Sequence, residues 1–227
     1  LLPLYALKLP EVLLEPMEGG DRIAFTEAGF KKLLTYDSIA FGMGTEASED
    51  IFKGAAYLLC NYKGRLILDA DALNSLAKYG GKETESIFAD KKCDVLLTPH
   101  LKEFSRLTGE STDDLLTKGL NAPKDFAKKR GVTVLLKGAA TVISDGKRTA
   151  LNVAGTAGQA KGGSGDVLSG LIAGLCAGWL SAFDGACAGA YLAGTAAEFA
   201  AAETGEYSLT ASDEIAYLGR AFRALRE

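Results

Sequence analysis

Residues 155–166 read GTAGQAKGGSGD, and the apolar run VLSGLIAGLCAGW follows them directly. Five of the eleven residues from Gly155 to Gly165 are glycine, so the backbone can turn its N–H groups inward without Cβ clashes. The apolar run is typical of a buried helix, which begins with unpaired N–H groups and a positive dipole end. Because that dipole contributes only about 0.3–1 kcal/mol to binding an exposed anion, converging amides must supply most of the binding. The stretch therefore predicts an anion site suited to a phosphoryl group.

Asp166 follows the glycines and lies in the first turn of the predicted helix. Its carboxylate could simply stabilise the helix start, or it could act as a general base. A free aspartate, with a pKa of about 3.9, becomes an effective base only if the proton leaves a hydroxyl while that hydroxyl attacks phosphorus. The glycines in front of Asp166 favour the general base. The pattern is neither a Walker A loop nor a dinucleotide fingerprint, since GxxxxGK[ST] is absent and the glycines follow late strands.

Two further polar motifs follow predicted strands. Asp69-Ala-Asp71-Ala-Leu-Asn74 places carboxylates and an amide where they could cap a helix or form polar walls of a pocket. Thr98-Pro-His100-Leu-Lys-Glu103 contains the only histidine of the chain. A lone histidine is usually structural, but a position at a strand end favours ligand contact. Glu103 could pair with a helix start or hold water around Mg²⁺.

The segment Lys137-Gly138-Ala139-Ala140-Thr141 ends one predicted strand and opens the next. Its small residues predict a tight turn, either an ordinary hairpin or one whose backbone meets a flat or phosphorylated ligand. Lys137 could contact phosphate or be a solvated strand end.

Short apolar runs alternate with amphipathic segments along most of the chain, a pattern that predicts right-handed parallel crossovers. The predicted fold class is α/β, with a doubly wound, mainly parallel sheet flanked by helices, and ligands are expected at the carboxyl ends of the strands. We predict strands at 38–41, 65–69, 94–98, 132–137, 141–144 and 149–153, and a strand or extended entry at 11–17. We predict helices at 26–36, 46–62, 71–79, 102–108, 113–130 (in two pieces because of Pro123), 164–179, 183–203 and 212–226.

Bulk properties exclude several classes of protein. The net charge of −4 leaves no basic field for nucleic acid or an anionic membrane. The four cysteines form no CxxC pair, which indicates reduced thiols in a cytoplasmic protein and, with one histidine, no zinc site. The first twenty residues lack a basic start and contain three prolines, so they do not resemble a secretory signal.

The motifs at 69–74, 98–103, 137–141 and 161–168, in this order, resemble those of the ADP/ATP-dependent NAD(P)H-hydrate dehydratases, which are ribokinase-like repair enzymes. The resemblance implies phosphorylation and elimination of the hydroxyl of the 6S hydrate of NADH or NADPH. It also implies Mg²⁺, ADP or ATP as phosphoryl donor, and a homo-oligomer, which is a tetramer in bacterial members. By resemblance Asp166 is the catalytic base, and Gly44, His100 and Asp166 contact the substrate. The nucleotide would contact Lys137, Gly138, Ala139, Ala140, Thr141, Gly162, Gly163, Ser164 and Gly165, with Asp69, Asn74 and Glu103 in support; any metal ligands stay unassigned.

The chain departs from the family pattern in two places. Family members have an earlier βα segment, so we expect residues 1–227 to form a single catalytic domain that lacks it. The turn after Phe41 reads Gly42-Met-Gly44 and lacks a further glycine that members often carry, which weakens the assignment of Gly44. The alternatives are a small-molecule kinase of the hydroxymethylpyrimidine or hydroxyethylthiazole type, and a non-catalytic nucleotide-binding subunit. Asp166 argues against the latter, while Gly162, Gly163 and His100 favour the dehydratase over the kinase.

Overall fold

The computed structural model describes residues 2–17 and 20–226, and in them six strands form one sheet whose spatial order follows the chain. β1 to β4 pair in parallel, and β5 and β6 are added antiparallel at the far edge. This mainly parallel sheet with helices on its faces confirms the predicted fold class. The strands are β1 (Ser38–Phe41), β2 (Arg65–Leu68), β3 (Asp94–Leu97), β4 (Thr133–Leu136), β5 (Thr141–Ser144) and β6 (Thr149–Asn152).

Helices connect the parallel strands and then continue past the last strand. The N-terminal part of the described chain contains α1 (Leu2–Lys8) and α2 (Glu27–Leu33). The connections between β1 and β4 contain α3 (Glu49–Asn61), α4 (Ala70–Tyr79), α5 (Glu83–Ala89), α6 (Leu101–Thr108), α7 (Thr112–Lys118) and α8 (Asn121–Arg130). After β6 come a 3-10 turn at Ala157–Gln159 and three helices, α9 (Ser164–Ala177), α10 (Ala182–Thr204) and α11 (Ala211–Ala224).

The sheet is buried on both faces, and the two faces are covered by different parts of the chain. In β2, Leu66 and Leu68 join a core formed with α2 to α8, whereas Ile67 joins a core formed with α9 and α10. Successive side chains of a strand point to opposite faces, so strands buried on both sides have continuous apolar sequences. The C-terminal helices thus supply the second layer.

The carboxyl ends of the parallel strands meet at one edge of the sheet. Phe41, Leu68 and Leu97 are level with one another in the register of β1 to β3. Backbone hydrogen bonds continue this alignment beyond the strands. They run from Asp69 N–H to Phe41 O (3.1 Å), from Thr98 N–H to Leu68 O (3.1 Å) and from Lys137 N–H to Pro99 O (2.8 Å).

The observed local structure differs from the expected one in several places. Residues 11–17 form no strand, which leaves only the extended entry of the two alternatives. Neither α1 nor α5 was predicted, and α5 is a short helix without a side-chain cap at its start. The segment 113–130 is indeed two helices, but it breaks at Gly119 and not at Pro123. Pro123 lies in the first turn of α8, where a missing N–H leaves no helical hydrogen bond unmade.

Two further features concern membrane-spanning helices and the state of the cysteines. No helix in residues 2–17 and 20–226 is both long enough and apolar enough to cross a membrane. The four cysteines are free thiols. Burial raises the pKa of Cys93 to about 12 and that of Cys176 to about 11, which keeps both thiols protonated near neutral pH.

Gly42 offers a test of how closely the turn after β1 packs on the start of α4. Its φ is +119°, and a Cβ at this position would lie 2.1 Å from Asp69 O and 2.5 Å from Ala72 Cβ. We expect Gly42→Ala to lower the free energy of unfolding by about 2–4 kcal/mol, because a backbone clash is added to left-handed strain. Urea denaturation measures this change.

The matched control is Gly109→Ala. Gly109 also has a positive φ, of +76°, but a Cβ there would meet nothing within 4 Å. We expect a loss of only about 1 kcal/mol from conformational strain alone. Equal losses for the two variants would show that the turn after β1 tolerates a side chain.

Candidate active site

Polar side chains from two strand ends and from α9 meet at the carboxyl edge of the sheet. Lys137 Nζ lies 2.9 Å from Asp69 Oδ1, and Ser169 donates its hydroxyl proton to Asp69 Oδ2 at 2.7 Å. The N–H of Ala70 donates to Asp69 Oδ1 at 2.8 Å. The side chain of Asp69 is 2% exposed and that of Lys137 is 24% exposed, so the ion pair is largely buried. Of the two interpretations of Asp69, the helix cap is found at the start of α4, and its carboxylate also faces Lys137 and Ser169.

The glycine turn delivers the start of α9 to the same place. Gly163 precedes the helix with a φ of +96° and offers no side-chain acceptor to the helix start. In the described part of the chain, no acceptor meets the N–H groups of Ser164, Gly165 and Asp166. A Cβ on Gly165 would lie 3.6 Å from Lys137 Nζ, so this ammonium group lies beside the free N–H groups. A helix start with unpaired amides and a nearby lysine is a binding site for anionic oxygens.

Asp166 lies in the first turn of α9 with an exposed side chain. Within residues 2–17 and 20–226 its carboxylate has no hydrogen-bond or ion-pair partner. The residue that precedes α9 is Gly163, so Asp166 does not cap the helix. Within the helix, its only stabilising effect is that its negative charge compensates the helix dipole. The carboxylate is therefore free to accept a proton from a bound molecule.

His100 and Glu103 form a reciprocal capping box at the start of α6. His100 Nδ1 accepts the N–H groups of Lys102 (3.1 Å) and Glu103 (3.2 Å), and Glu103 Oε2 accepts the N–H of His100 (2.9 Å). Because Nδ1 is an acceptor, a neutral His100 carries its proton on Nε2. Nε2 of His100 lies 3.5 Å from Glu103 Oε1, and the side chain of His100 is half exposed whereas that of Glu103 is buried. Of the two interpretations of Glu103, pairing with the helix start is the one found.

The remaining predicted residues have different surroundings. Asn74 Oδ1 accepts a hydrogen bond from Arg106 Nη1 at 2.8 Å, which ties α4 to α6. Gly44 is exposed with a φ of +66° in the loop after β1. The segment 138–140 is the exposed turn of the β4–β5 hairpin, and Thr141 opens β5. Lys137 is neither a solvated strand end nor unpaired, because Asp69 holds it.

A metal ion would depend on a bound ligand for most of its contacts. In the described residues no group of three or more His, Cys, Asp or Glu side chains is arranged to hold one. The carboxylates of Asp69 and Glu103 are already occupied by hydrogen bonds, while that of Asp166 is free. Mg²⁺ is commonly bound by one or two carboxylates together with phosphates and water. A bound polyphosphate and water would therefore have to supply most of the ligands.

Sequence reasoning missed two residues of this region. Ser169 lies within an apolar helix, and its only signal is its position one turn after Gly165 on the same helical face. Glu214 lies in the first turn of α11, in a charged stretch that resembles any solvated helix start, yet its side chain is fully buried against Lys161 and Ser164. No local pattern distinguishes it.

Comparisons with known proteins agree on one family. A family model described as NAD(P)H-hydrate dehydratase matches residues 5–218. The bifunctional NAD(P)H-hydrate repair enzyme of Thermofilum pendens is 33% identical over 233 residues, covering 100% of this chain and 43% of the relative. The ADP-dependent (S)-NAD(P)H-hydrate dehydratase of Cenarchaeum symbiosum is 39% identical over 178 residues, covering 78% of this chain and 58% of the relative. The chain thus spans about half the length of these two relatives.

Solved structures show the same fold. The ADP/ATP-dependent NAD(P)H-hydrate dehydratase of Bacillus subtilis, co-crystallised with ATP and Mg²⁺, has a TM-score of 0.78 and 28% identity, covering 98% of this chain and 75% of its own. A hydroxyethylthiazole kinase from Pyrococcus horikoshii has a TM-score of 0.62 at 20% identity, covering 88% of this chain and 77% of its own, a likeness of fold alone.

The buried ion pair predicts strong energetic coupling. Asp69→Ala removes the acceptor of Lys137, Ser169 and the Ala70 N–H together, so we expect the free energy of unfolding to fall by about 3–5 kcal/mol. Lys137→Met should also destabilise the protein. The double variant should lose less than the sum of the two by about 1–3 kcal/mol.

Urea denaturation of the four proteins closes this double-mutant cycle. Glu49→Ala, which breaks the exposed Lys53–Glu49 pair on α3, is the control and should change stability little. Strictly additive losses at Asp69 and Lys137 would show that the two side chains are not coupled.

Proposed function

The chain belongs to the NAD(P)H-hydrate dehydratase family, and from that membership we propose that it uses ADP or ATP to dehydrate the 6S hydrate of NADH or NADPH. The product would be the restored reduced nicotinamide. The observation that carries the proposal is the start of α9. Its first turn holds the free N–H groups and the unpaired carboxylate of Asp166, and Lys137 Nζ lies beside Gly165 of that turn.

The start of α9 would hold the phosphoryl group during transfer. The transferring group spreads negative charge over its oxygens, and preorganised N–H donors stabilise that charge without rearranging. The amides at 164–166 and the adjacent Lys137 provide such donors. Asp69 and Ser169 restrict the movement of Lys137, so little order would be lost when the ammonium group meets an anion.

Asp166 would take the proton of the substrate hydroxyl. As the hydroxyl oxygen forms its bond to phosphorus, the bond from phosphorus to the nucleotide breaks, releasing AMP from ADP or ADP from ATP. Hydroxide is a poor leaving group, whereas phosphate is a good one. The ring C–O bond then breaks with its electrons on phosphate, and loss of a ring proton restores the double bond.

The substrate would approach from the edge formed by the first strand ends. The side chain of His100 is half exposed there, and its Nε2, 3.5 Å from Glu103 Oε1, would donate to a carbonyl or hydroxyl oxygen of the hydrate. The exposed backbone of Gly44 borders the same edge through the loop after β1. The hairpin turn at 138–140 offers an exposed backbone to the nucleotide.

The nucleotide would bring the Mg²⁺ ion with it. The relative from Cenarchaeum symbiosum is named ADP-dependent, and the enzyme of the Bacillus subtilis structure is named ADP/ATP-dependent. Both donors fit an anion site built from backbone amides, since such a site recognises the oxygens of the terminal phosphate and not the number of phosphates in the nucleotide. We further propose a cytoplasmic homotetramer that binds neither nucleic acid nor membrane, in line with the reduced thiols and the net charge of −4.

The direct test incubates the purified chain with NADH hydrate, Mg²⁺ and either ADP or ATP. We expect the absorbance band of the reduced nicotinamide to recover, with one nucleotide consumed for each ring restored. Omitting the nucleotide is the control and should abolish recovery. A stable phosphorylated product without recovery would favour a kinase, and no reaction with either donor would overturn the dehydratase.

The role of Asp166 is tested by Asp166→Asn, which keeps the shape and removes the base. We expect kcat to fall by about 10²–10⁴-fold while nucleotide affinity stays near that of the wild type. Asp184→Asn is the matched control, since Asp184 occupies the corresponding place in the first turn of α10. Turnover that survives in Asp166→Asn would remove this carboxylate from the proton transfer.

A further inference from the structure

Glu214, in the first turn of α11, has a fully buried carboxylate. Its Oε1 lies 2.7 Å from Lys161 Nζ and accepts the hydroxyl proton of Ser164 at 2.6 Å. Its Oε2 is buried without a hydrogen-bond partner among the described residues. Burying an ion pair costs several kcal/mol per ion in lost hydration, so this carboxylate needs an explanation.

The start of α11 does not require Glu214. Thr210 caps this helix with its side chain, and the carboxylate of Asp213 accepts the N–H of Thr210 at 2.8 Å. That reciprocal box meets the needs of the helix end. Glu214 therefore acts on something outside its own helix.

Its two partners bracket the glycine turn. Lys161 and Ser164 are the residues on either side of Gly162-Gly163, and Lys161 Nζ also donates to Gly158 O at 2.9 Å. The first residue of α11 closes the same side, because a Cβ on Gly163 would lie 2.9 Å from Ala211 Cβ. The first turn of α11 thus forms a wall against which the turn is folded.

We propose that Glu214 is a positioning residue that holds the segment Lys161-Gly-Gly-Ser164 in the shape that leaves the amides of 164–166 open to a phosphoryl group. It neutralises Lys161, so that the ammonium group of Lys161 supports the glycine turn and does not contact the bound anion. It also accepts the hydrogen bond of the Ser164 hydroxyl. The proposal rests on the proposed function only in taking the anion to be a nucleotide phosphate.

A purely structural role predicts a different outcome from a positioning role. Replacing both members of a buried ion pair by apolar side chains of similar size is often neutral or stabilising. The double variant Lys161→Met/Glu214→Met should therefore stay folded while the flexible glycines lose their anchor. Because the free turn samples many conformations, part of the binding energy would be spent on ordering it.

The experiment measures Mg²⁺–ADP and Mg²⁺–ATP binding by isothermal titration calorimetry, together with Tm, for the full chain. We expect the double variant to bind about tenfold more weakly or worse, with a Tm close to that of the wild type. Glu214→Gln retains the shape and one acceptor, so its loss should be smaller. In turnover assays the nucleotide KM should rise more than kcat falls. Glu203→Gln is the control, since Glu203 anchors α11 through Tyr217 and Arg220, away from the turn.

The outcomes separate this proposal from the proposed function. Wild-type nucleotide affinity in Glu214→Gln and in the double variant would overturn the positioning role while leaving the dehydratase intact. If the double variant does not fold, Glu214→Gln decides alone by the same criterion. A wild-type chain that binds nucleotide tightly but restores no nicotinamide would overturn the dehydratase, and the binding series would still test Glu214. A wild-type chain that binds neither nucleotide would overturn both.

Discussion

The ion pair between Lys137 and Asp69 joins two strand ends of the sheet, and the hydrogen bond from Ser169 to Asp69 links this pair to α9. Asp69 follows β2 and caps α4, Lys137 follows β4, and Ser169 of α9 also donates a hydrogen bond to the Asp69 carboxylate. The C-terminal helices are therefore fastened to the sheet at the edge where parallel strands end. A parallel sheet collects its loops at that edge, and this pair fixes where a helix start meets them.

Charge is arranged so that lysines near the glycine turn are neutralised before any ligand arrives. Asp69 pairs with Lys137, and Glu214 pairs with Lys161. Attraction for an anion then comes chiefly from oriented amides, which need no counter-charge and lose no side-chain freedom. With a net charge of −4, the chain has no long-range field to attract phosphate, so a local site of this kind is required.

Much of the fold could be predicted because its signals are local. Every strand of the sheet was predicted, and its observed ends differ from the predicted ends by a residue or two at most. Apolar runs bounded by turn residues are unambiguous in a sheet that is buried on both faces. The exceptions have physical reasons. The short helix α5 has no side-chain cap at its start, and Pro123 was taken as a break although a first helical turn tolerates it. Asp166 and the glycine turn were also recognisable as a candidate anion site, because glycines in front of a helix start form a dense local pattern.

By itself the sequence determined the layered α/β fold, the glycine turn before α9 and the place of Asp166 in the first turn of that helix, since each depends on neighbours a few residues apart. Only the tertiary structure decided which charges meet. Lys137 and Asp69 are 68 positions apart, and Lys161 and Glu214 are 53 apart. Such pairs depend on strand order and on how α11 packs against the turn. In the sequence, nothing distinguishes Glu214 from a solvated glutamate, and only the packing of α11 buries its carboxylate away from water.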